Sequence, residues 1–294
     1  MTLTELFPDD DYRFQMRFIR GSVTEFFSAG DGHAALMAER RHWLQTASRR
    51  YAALLPEGVP LLEEAIAMAS CGQALSAAET ALLRAKSSAW EQCLALGEIW
   101  EPDYLLLQIE EANHLRLLGG CVCFPSSWSL AEKMGRPLEL IHGVVPGLNE
   151  NLGQQINVFL ARMKPGVAWQ RSNWGLCRSP ELNQHPERRL PRLDAAVRLE
   201  EVWLRVEDQA LAALPRQRGV LFGIRIALHP LADIRNDAEA ARRLSRALRT
   251  MPEAMAQYKN LAEARSTILN LLAGSVTAPH GLGKCGLINA IHNS

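Results

Sequence analysis

His142 ends a short apolar turn, Leu138-Glu-Leu-Ile-His142, which is closed by Gly143 and Pro146. An imidazole there can titrate near neutral pH, ligate a metal, or cap its own helix end. Further on, Arg171 and Asn173 share one face of an extended run, Val167 to Trp174, and Trp174 takes the other face. An arginine fork suits a carboxylate partner, and an asparagine can orient a bound molecule. Arg205 and Glu207 share one face of Glu201 to Glu207, with Val202, Leu204 and Val206 opposite. A carboxylate in a pocket can bind an ammonium and take its proton. Plainer roles stay open: a cross-strand polar pair for Arg171 and Asn173, and a salt bridge between Arg205 and Glu207 or from Glu207 to Arg171.

Other chemistry-bearing residues have weaker settings. His114, among Glu110, Glu111 and Arg116, reads as the solvated face of a helix, and His229 before Pro230 reads as a turn residue. Cys121 and Cys123 can offer thiolates, although small cysteines in a β run usually pack inertly. Gln209 sits at a strand exit, and Lys133 lies on an exposed helical turn. Trp128, Trp169, Trp174 and Trp203 cluster in this half of the chain, where core filling is the default. No Gly-x-Gly-x-x-Gly follows a strand, and Gly281-Leu-Gly-Lys-Cys-Gly286 lacks the spacing of a phosphate loop. The six cysteines include no Cys-x-x-Cys pair, so zinc and iron–sulfur sites are not expected.

The elements that position these residues follow from periodicity. Gly32 to about Leu118 reads as helical, with a capping box at Ser76-Ala-Ala-Glu79. From Gly119 the texture changes. Cys121-Val-Cys-Phe124 is a β-type run, Trp128 to Met134 and Leu138 to His142 are short helical turns, and Asn149 to Met163 is a longer helix. Strands are expected over 167–174, 201–207 and 220–228, with an exposed Pro-rich loop from Arg178 to Arg192. Helices at 237–248 and 252–272 close the pattern, followed by a loose tail. Strands this close in sequence pair antiparallel, which gives an α+β fold. The divisions are an N-terminal helical region 1–118, a core 119–231, C-terminal helices 232–273 and a tail 274–294.

Composition excludes more than it selects. The 294 residues are 48% hydrophobic and 22% charged, and the 32 basic side chains match the 32 acidic ones. No global field attracts nucleic acid or an acidic membrane. The acidic amino terminus lacks a signal core, and no apolar run reaches the roughly 20 residues of a spanning helix, so a cytoplasmic protein with reduced thiols is expected.

Four ordered segments carry a further reading: Cys123-Phe-Pro-Ser-Ser-Trp-Ser-Leu-Ala-Glu-Lys-Met-Gly135, Leu138-Glu-Leu-Ile-His-Gly-Val-Val-Pro-Gly147, Arg171-Ser-Asn-Trp174, and Leu204-Arg-Val-Glu-Asp-Gln-Ala-Leu-Ala-Ala-Leu-Pro215. Together they resemble the haem-dependent oxidative N-demethylase α-subunit family, formerly a domain of unknown function. The resemblance runs from about Leu6, through Arg40-Arg41 and an Ile109 to Arg116 helix, to Tyr258-Lys259. It implies a PAS-like antiparallel sheet with short helices on one face, flanked by N-terminal and C-terminal helices, and haem b between helix and sheet. The implied activity is oxygen-dependent demethylation of a small amine, a monooxygenase reaction. Electrons would come from a partner reductase with flavin and an iron–sulfur centre.

On that resemblance His142 is the expected iron ligand, with Leu138, Ile141, Val144 and Val145 as its apolar wall. Arg171 and Lys133 would meet the haem propionates and Trp174 would line the cofactor. Asn173 would face bound oxygen or substrate, and Glu207 and Arg205 would serve the amine. Alternatives are a non-catalytic haem sensor of gas or redox state and a cofactor-free binding protein on the same fold.

Overall fold

The computed structural model describes residues 3–13, 17–30 and 32–274. The expected tail, with Cys285 and Gly281 to Gly286, lies outside these residues apart from Gly274. Among the described residues seven strands form one sheet: β1 (Ile19–Gly21), β2 (Ala52–Leu54), β3 (Asp103–Ile109), β4 (Leu115–Cys121), β5 (Ala168–Cys177), β6 (Trp203–Leu214) and β7 (Gly219–Pro230). Their order is β1-β5-β6-β7-β3-β4-β2. Every pairing is antiparallel.

Six helices lie outside the middle of the chain at its start: α1 (Leu3–Leu6), α2 (Val23–Phe27), α3 (His33–Tyr51), α4 (Val59–Cys71), α5 (Ala77–Arg84) and α6 (Ala89–Ile99). Between β4 and β5 come α7 (Leu130–Lys133), α8 (Leu138–His142), a π-helical turn (Asn149–Gly153) and α9 (Gln154–Ala161). After β7 follow α10 (Leu231–Asn236), α11 (Ala238–Thr250), α12 (Glu253–Tyr258) and α13 (Arg265–Ala273). The Ser76 capping box opens α5 as its sequence requires: Glu79 N donates to Ser76 Oγ at 3.2 Å and Ser76 N donates to Glu79 Oε2 at 2.7 Å.

The sheet separates three packed clusters. On one face Leu130, Leu138, Ile141 and Leu160 from the short helices meet Leu105, Leu211 and Ile224. On the other, α2 to α6 pack on Tyr104, Leu106 and Leu118, while the C-terminal helices pack on Leu176, Leu204 and Val206. This is an α+β architecture with short helices on one face and longer ones behind.

Five expectations need correction. The helical reading of 32–118 runs too far, because β2, β3 and β4 fall inside it. Tyr104-Leu-Leu-Leu107 is a continuous apolar run, buried on both faces, and such a run has no period that separates strand from helix. The Ile109 to Arg116 helix is the turn of the β3–β4 hairpin, where Ala112 and Asn113 take φ of 54 and 63°. The helix expected from Asn149 opens as the π turn, and 252–272 divides into α12 and α13 around Asn260 at φ 56°. Finally, the 178–192 loop is anchored rather than fully exposed: Asn183 is 0% and His185 3% accessible, and Asn183 Nδ2 donates to Tyr51 Oη at 2.9 Å.

Candidate functional site

Register builds the site. Arg171, Asn173 and Gly175 of β5 stand opposite Gln209, Glu207 and Arg205 of β6. Alternation along each strand turns these six residues to one face. Ile224 and Ile226 of β7 continue the row beside Gln209 and Glu207. Above Gly175 the face is open, since a Cβ there would meet nothing within 4 Å.

Glu207 is held by neutral donors. Its Oε1 accepts from Ser126 Oγ at 2.5 Å, and its Oε2 accepts from Gln209 Nε2 at 3.2 Å and, more weakly, Asn173 Nδ2 at 3.5 Å. No cation lies within ion-pair distance of it among the described residues. Arg205 does not close the salt bridge that its spacing permits. Its guanidinium, with the residue only 3% accessible, donates from Nε to Ser126 Oγ at 2.7 Å and from Nη2 to Phe124 O at 2.8 Å, and Nη1 has no partner. Ser126 therefore stands between the two charges.

The 122–127 loop that delivers Ser126 is itself pinned from the core. The Asp103 carboxylate accepts from Cys123 N at 2.7 Å, Phe124 N at 3.0 Å and Arg40 Nη2 at 2.9 Å. Arg40 and Asp103 are 0% and 1% accessible. Ser127 follows at φ 61°, a left-handed conformation in which its N–H reaches Gln184 O at 3.1 Å.

His142 comes from the opposite wall. Its helix α8 starts against β4 through a Pro137–Arg116 bridge, and its ring is near enough to Arg171 for the guanidinium charge to act on it. Burial pushes the imidazole pKa down to about 4; Arg171 and Lys133 push the same way, and Glu139 opposes them. The ring is neutral at pH 7. Neither its nitrogens nor the Arg171 guanidinium has a hydrogen-bond partner among the described residues. Leu138 and Ile141 pack into the apolar layer beneath. Val145 instead joins the cluster behind the sheet, and Val144 is 57% accessible, so two of the four expected wall residues do not line this face.

Trp174 also leaves the expected set. Strand alternation puts it on the far face, edge-on to Phe7 at 5.1 Å and Tyr12 at 6.4 Å, with Lys259 Nζ 5.4 Å from its ring and donating to its carbonyl at 2.6 Å. Burial lowers the Lys259 pKa to about 8. His114 is on the hairpin turn rather than on a helix, paired to Glu139 at 2.9 Å, and His229 stands opposite Leu204 on the face away from Glu207. Cys121 and Cys123 pack behind the sheet with Arg40, and burial keeps the Cys123 thiol well above its ordinary pKa. The residues that sequence reasoning left without roles are Ser126, Asp103 and Arg40. Ser126 lies in the Cys123 to Gly135 segment, yet its partners are 79 and 81 residues away and no local spacing reveals them.

A cleft of about 1110 Å³ lies elsewhere, between α2 and α5, lined by Phe27, His33, Thr80, Trp100 and Glu101. Size alone would favour it. Its carboxylate is already satisfied, however: Glu101 accepts from Gly30 N at 2.8 Å, contacts His33 Nδ1 at 2.5 Å and pairs with Arg225. A second, of about 390 Å³, adjoins His114, Glu139 and Asn157. Neither contains His142, and the unpaired cation and uncharged imidazole are on the β5–β6 face.

The His142 pKa has a measurable consequence. With about 4 in the fold against an ordinary value of 6.5, the unfolded chain binds a proton first as pH falls. Apoprotein stability therefore drops between pH 6.5 and 4, by up to about 3 kcal/mol. Urea titrations from pH 7 to 4.5 should show a steeper loss for the wild type than for His142→Gln. Equal slopes would place the ring in water.

No helix among the described residues is long and apolar enough to cross a membrane. Compared with known families, residues 70–269 match the model described as haem-dependent oxidative N-demethylase, alpha subunit-like. That span holds β3 to β7, the short helices, His142, Arg171 and Glu207. The chain belongs to the haem-dependent oxidative N-demethylase alpha-subunit-like family.

Proposed function

We propose that this chain is a cytoplasmic haem-containing oxidoreductase subunit that oxidises the N-methyl group of a small amine with molecular oxygen. The observation that carries this reading is the uncharged, unpartnered imidazole of His142 beside the unpaired Arg171, across an open face from Glu207. These residues fit haem b. Iron ligation would need a neutral imidazole, and His142 remains neutral down to about pH 4. Among the described residues no group of three or more His, Cys, Asp or Glu is placed to hold a bare metal ion, whereas haem iron needs one protein ligand. Arg171 and Lys133, both close enough to depress the His142 pKa, would meet the propionates. Sheet order supports a PAS-like core: β3 to β7, counted one to five, lie 2-1-5-4-3, with the short helices between the second and third. On this reading the haem-binding core takes in β3 and β4 as well as 119–231.

When bound, haem would supply oxygen activation. The chain's own residues do the rest. Glu207, which closes no ion pair among the described residues, anchors the protonated amine and holds the proton that leaves nitrogen. Asn173 braces Glu207 and borders the open space over Gly175, where the methyl group would lie. With that oxygen the methyl C–H bond would be hydroxylated to a hemiaminal, which would collapse to formaldehyde and the shorter amine. The second oxygen atom leaves as water, using two protons and two electrons. The family is an alpha subunit, so other subunits exist for it to meet, and a reductase with flavin and an iron–sulfur centre would supply those electrons.

The test is reconstitution with haem, a reductant and a panel of secondary amines. A Soret band with formaldehyde release supports the reading. Haem binding without turnover favours a sensor, and no haem binding favours a cofactor-free protein. In the same assay Glu207→Gln raises KM for the amine by on the order of ten-fold or more, the worth of a hydrogen bond to a charged group. An unchanged KM would remove Glu207 from the amine site.

A further inference from the structure

The hydroxyl of Ser126 contacts two charged residues that sit two apart on β6, and only one arrangement of protons satisfies both. Arg205 Nε can only donate, so Ser126 Oγ accepts there, at 2.7 Å. The hydroxyl has one proton, and it goes to Glu207 Oε1 at 2.5 Å. Arg205 is meanwhile fixed by its second bond, Nη2 to Phe124 O at 2.8 Å, and the loop carrying Phe124 and Ser126 hangs from Asp103 by two backbone N–H bonds. Polarity therefore runs one way, from Arg205 through Ser126 to Glu207.

We infer that Ser126 is a positioning residue, which holds the Glu207 carboxylate toward the open face while keeping the Arg205 cation from pairing with it directly. A direct ion pair would use the charge that a ligand ammonium needs. A relayed bond orients the carboxylate and leaves its charge available. The inference rests on the amine reading of Glu207 and names what makes that carboxylate competent.

The test is calorimetric titration of dimethylammonium chloride into the haem-loaded full chain, a binding measurement independent of turnover. Ser126→Ala weakens binding about ten-fold, and Ser126→Thr, which keeps the hydroxyl, stays within about two-fold of the wild type. In a Glu207→Gln background the same Ser126→Ala change adds no further loss, because its effect passes through Glu207. Two results overturn the inference while sparing the amine reading: Ser126→Ala binding as the wild type when Glu207→Gln does not, or a Ser126→Ala loss that persists in full beside Glu207→Gln. If Glu207→Gln itself binds dimethylammonium normally, the amine reading fails, and the inference with it.

Discussion

Replacing His142 by alanine removes the Soret position and spin state of the wild-type haem complex and lowers amine oxidation by at least on the order of 100-fold. Even supporting groups around a metal ligand commonly contribute 10–100-fold, and here the ligand itself goes. The other two imidazoles of this half of the described chain that sequence singles out are elsewhere: His114 is tied to Glu139 on the hairpin turn, and His229 faces away. Adding free imidazole should restore part of the spectrum, since the cavity left by truncation keeps its Leu138 and Ile141 floor. That rescue separates lost ligation from lost folding. A variant with an unchanged Soret band would place the iron on another residue, and the pH argument for His142 would then describe only a buried side chain.

The sequence exposes the site in proportion to how local its determinants are. Alternation along β6 puts Arg205 and Glu207 on one face before any fold is known, and Val202, Leu204 and Val206 do occupy the other. The short helix ending at His142 is likewise a local fact, set by its Gly and Pro stops. Alternation also puts Trp174 opposite Arg171, so its place behind the sheet was available from spacing. What is not local was lost. The middles of β3 and β4, Tyr104 to Leu107 and Leu117 to Cys121, are buried on both faces, and that burial erases the period that would distinguish them from helix. Arg40 and Asp103 are 63 residues apart and read singly as surface charges. Val144 and Val145 look alike in sequence, yet a chain turn sends one to solvent and the other into the cluster behind the sheet.

The Arg40–Asp103 pair gives the second large effect and a means of separating stability from placement. Asp103→Ala leaves a guanidinium with 0% accessibility without its carboxylate and strips Cys123 and Phe124 N–H of their acceptor. Breaking one side of such a pair costs about 3–5 kcal/mol, a fall in Tm on the order of 10 °C by thermal denaturation. Buried pairs rarely contribute that much when both partners are replaced together by apolar residues of similar volume. The Arg40→Met, Asp103→Leu double variant should therefore recover most of the lost Tm. It should not recover the site, because leucine offers no acceptor to the two N–H groups that hold Ser126 against Glu207. Near-native melting with dimethylammonium binding as weak as in Ser126→Ala would mean that the pair serves placement of the loop more than stability of the fold. Native binding in the double variant would mean that packing alone sets the loop, and the chain of contacts from α3 to Glu207 would carry no function.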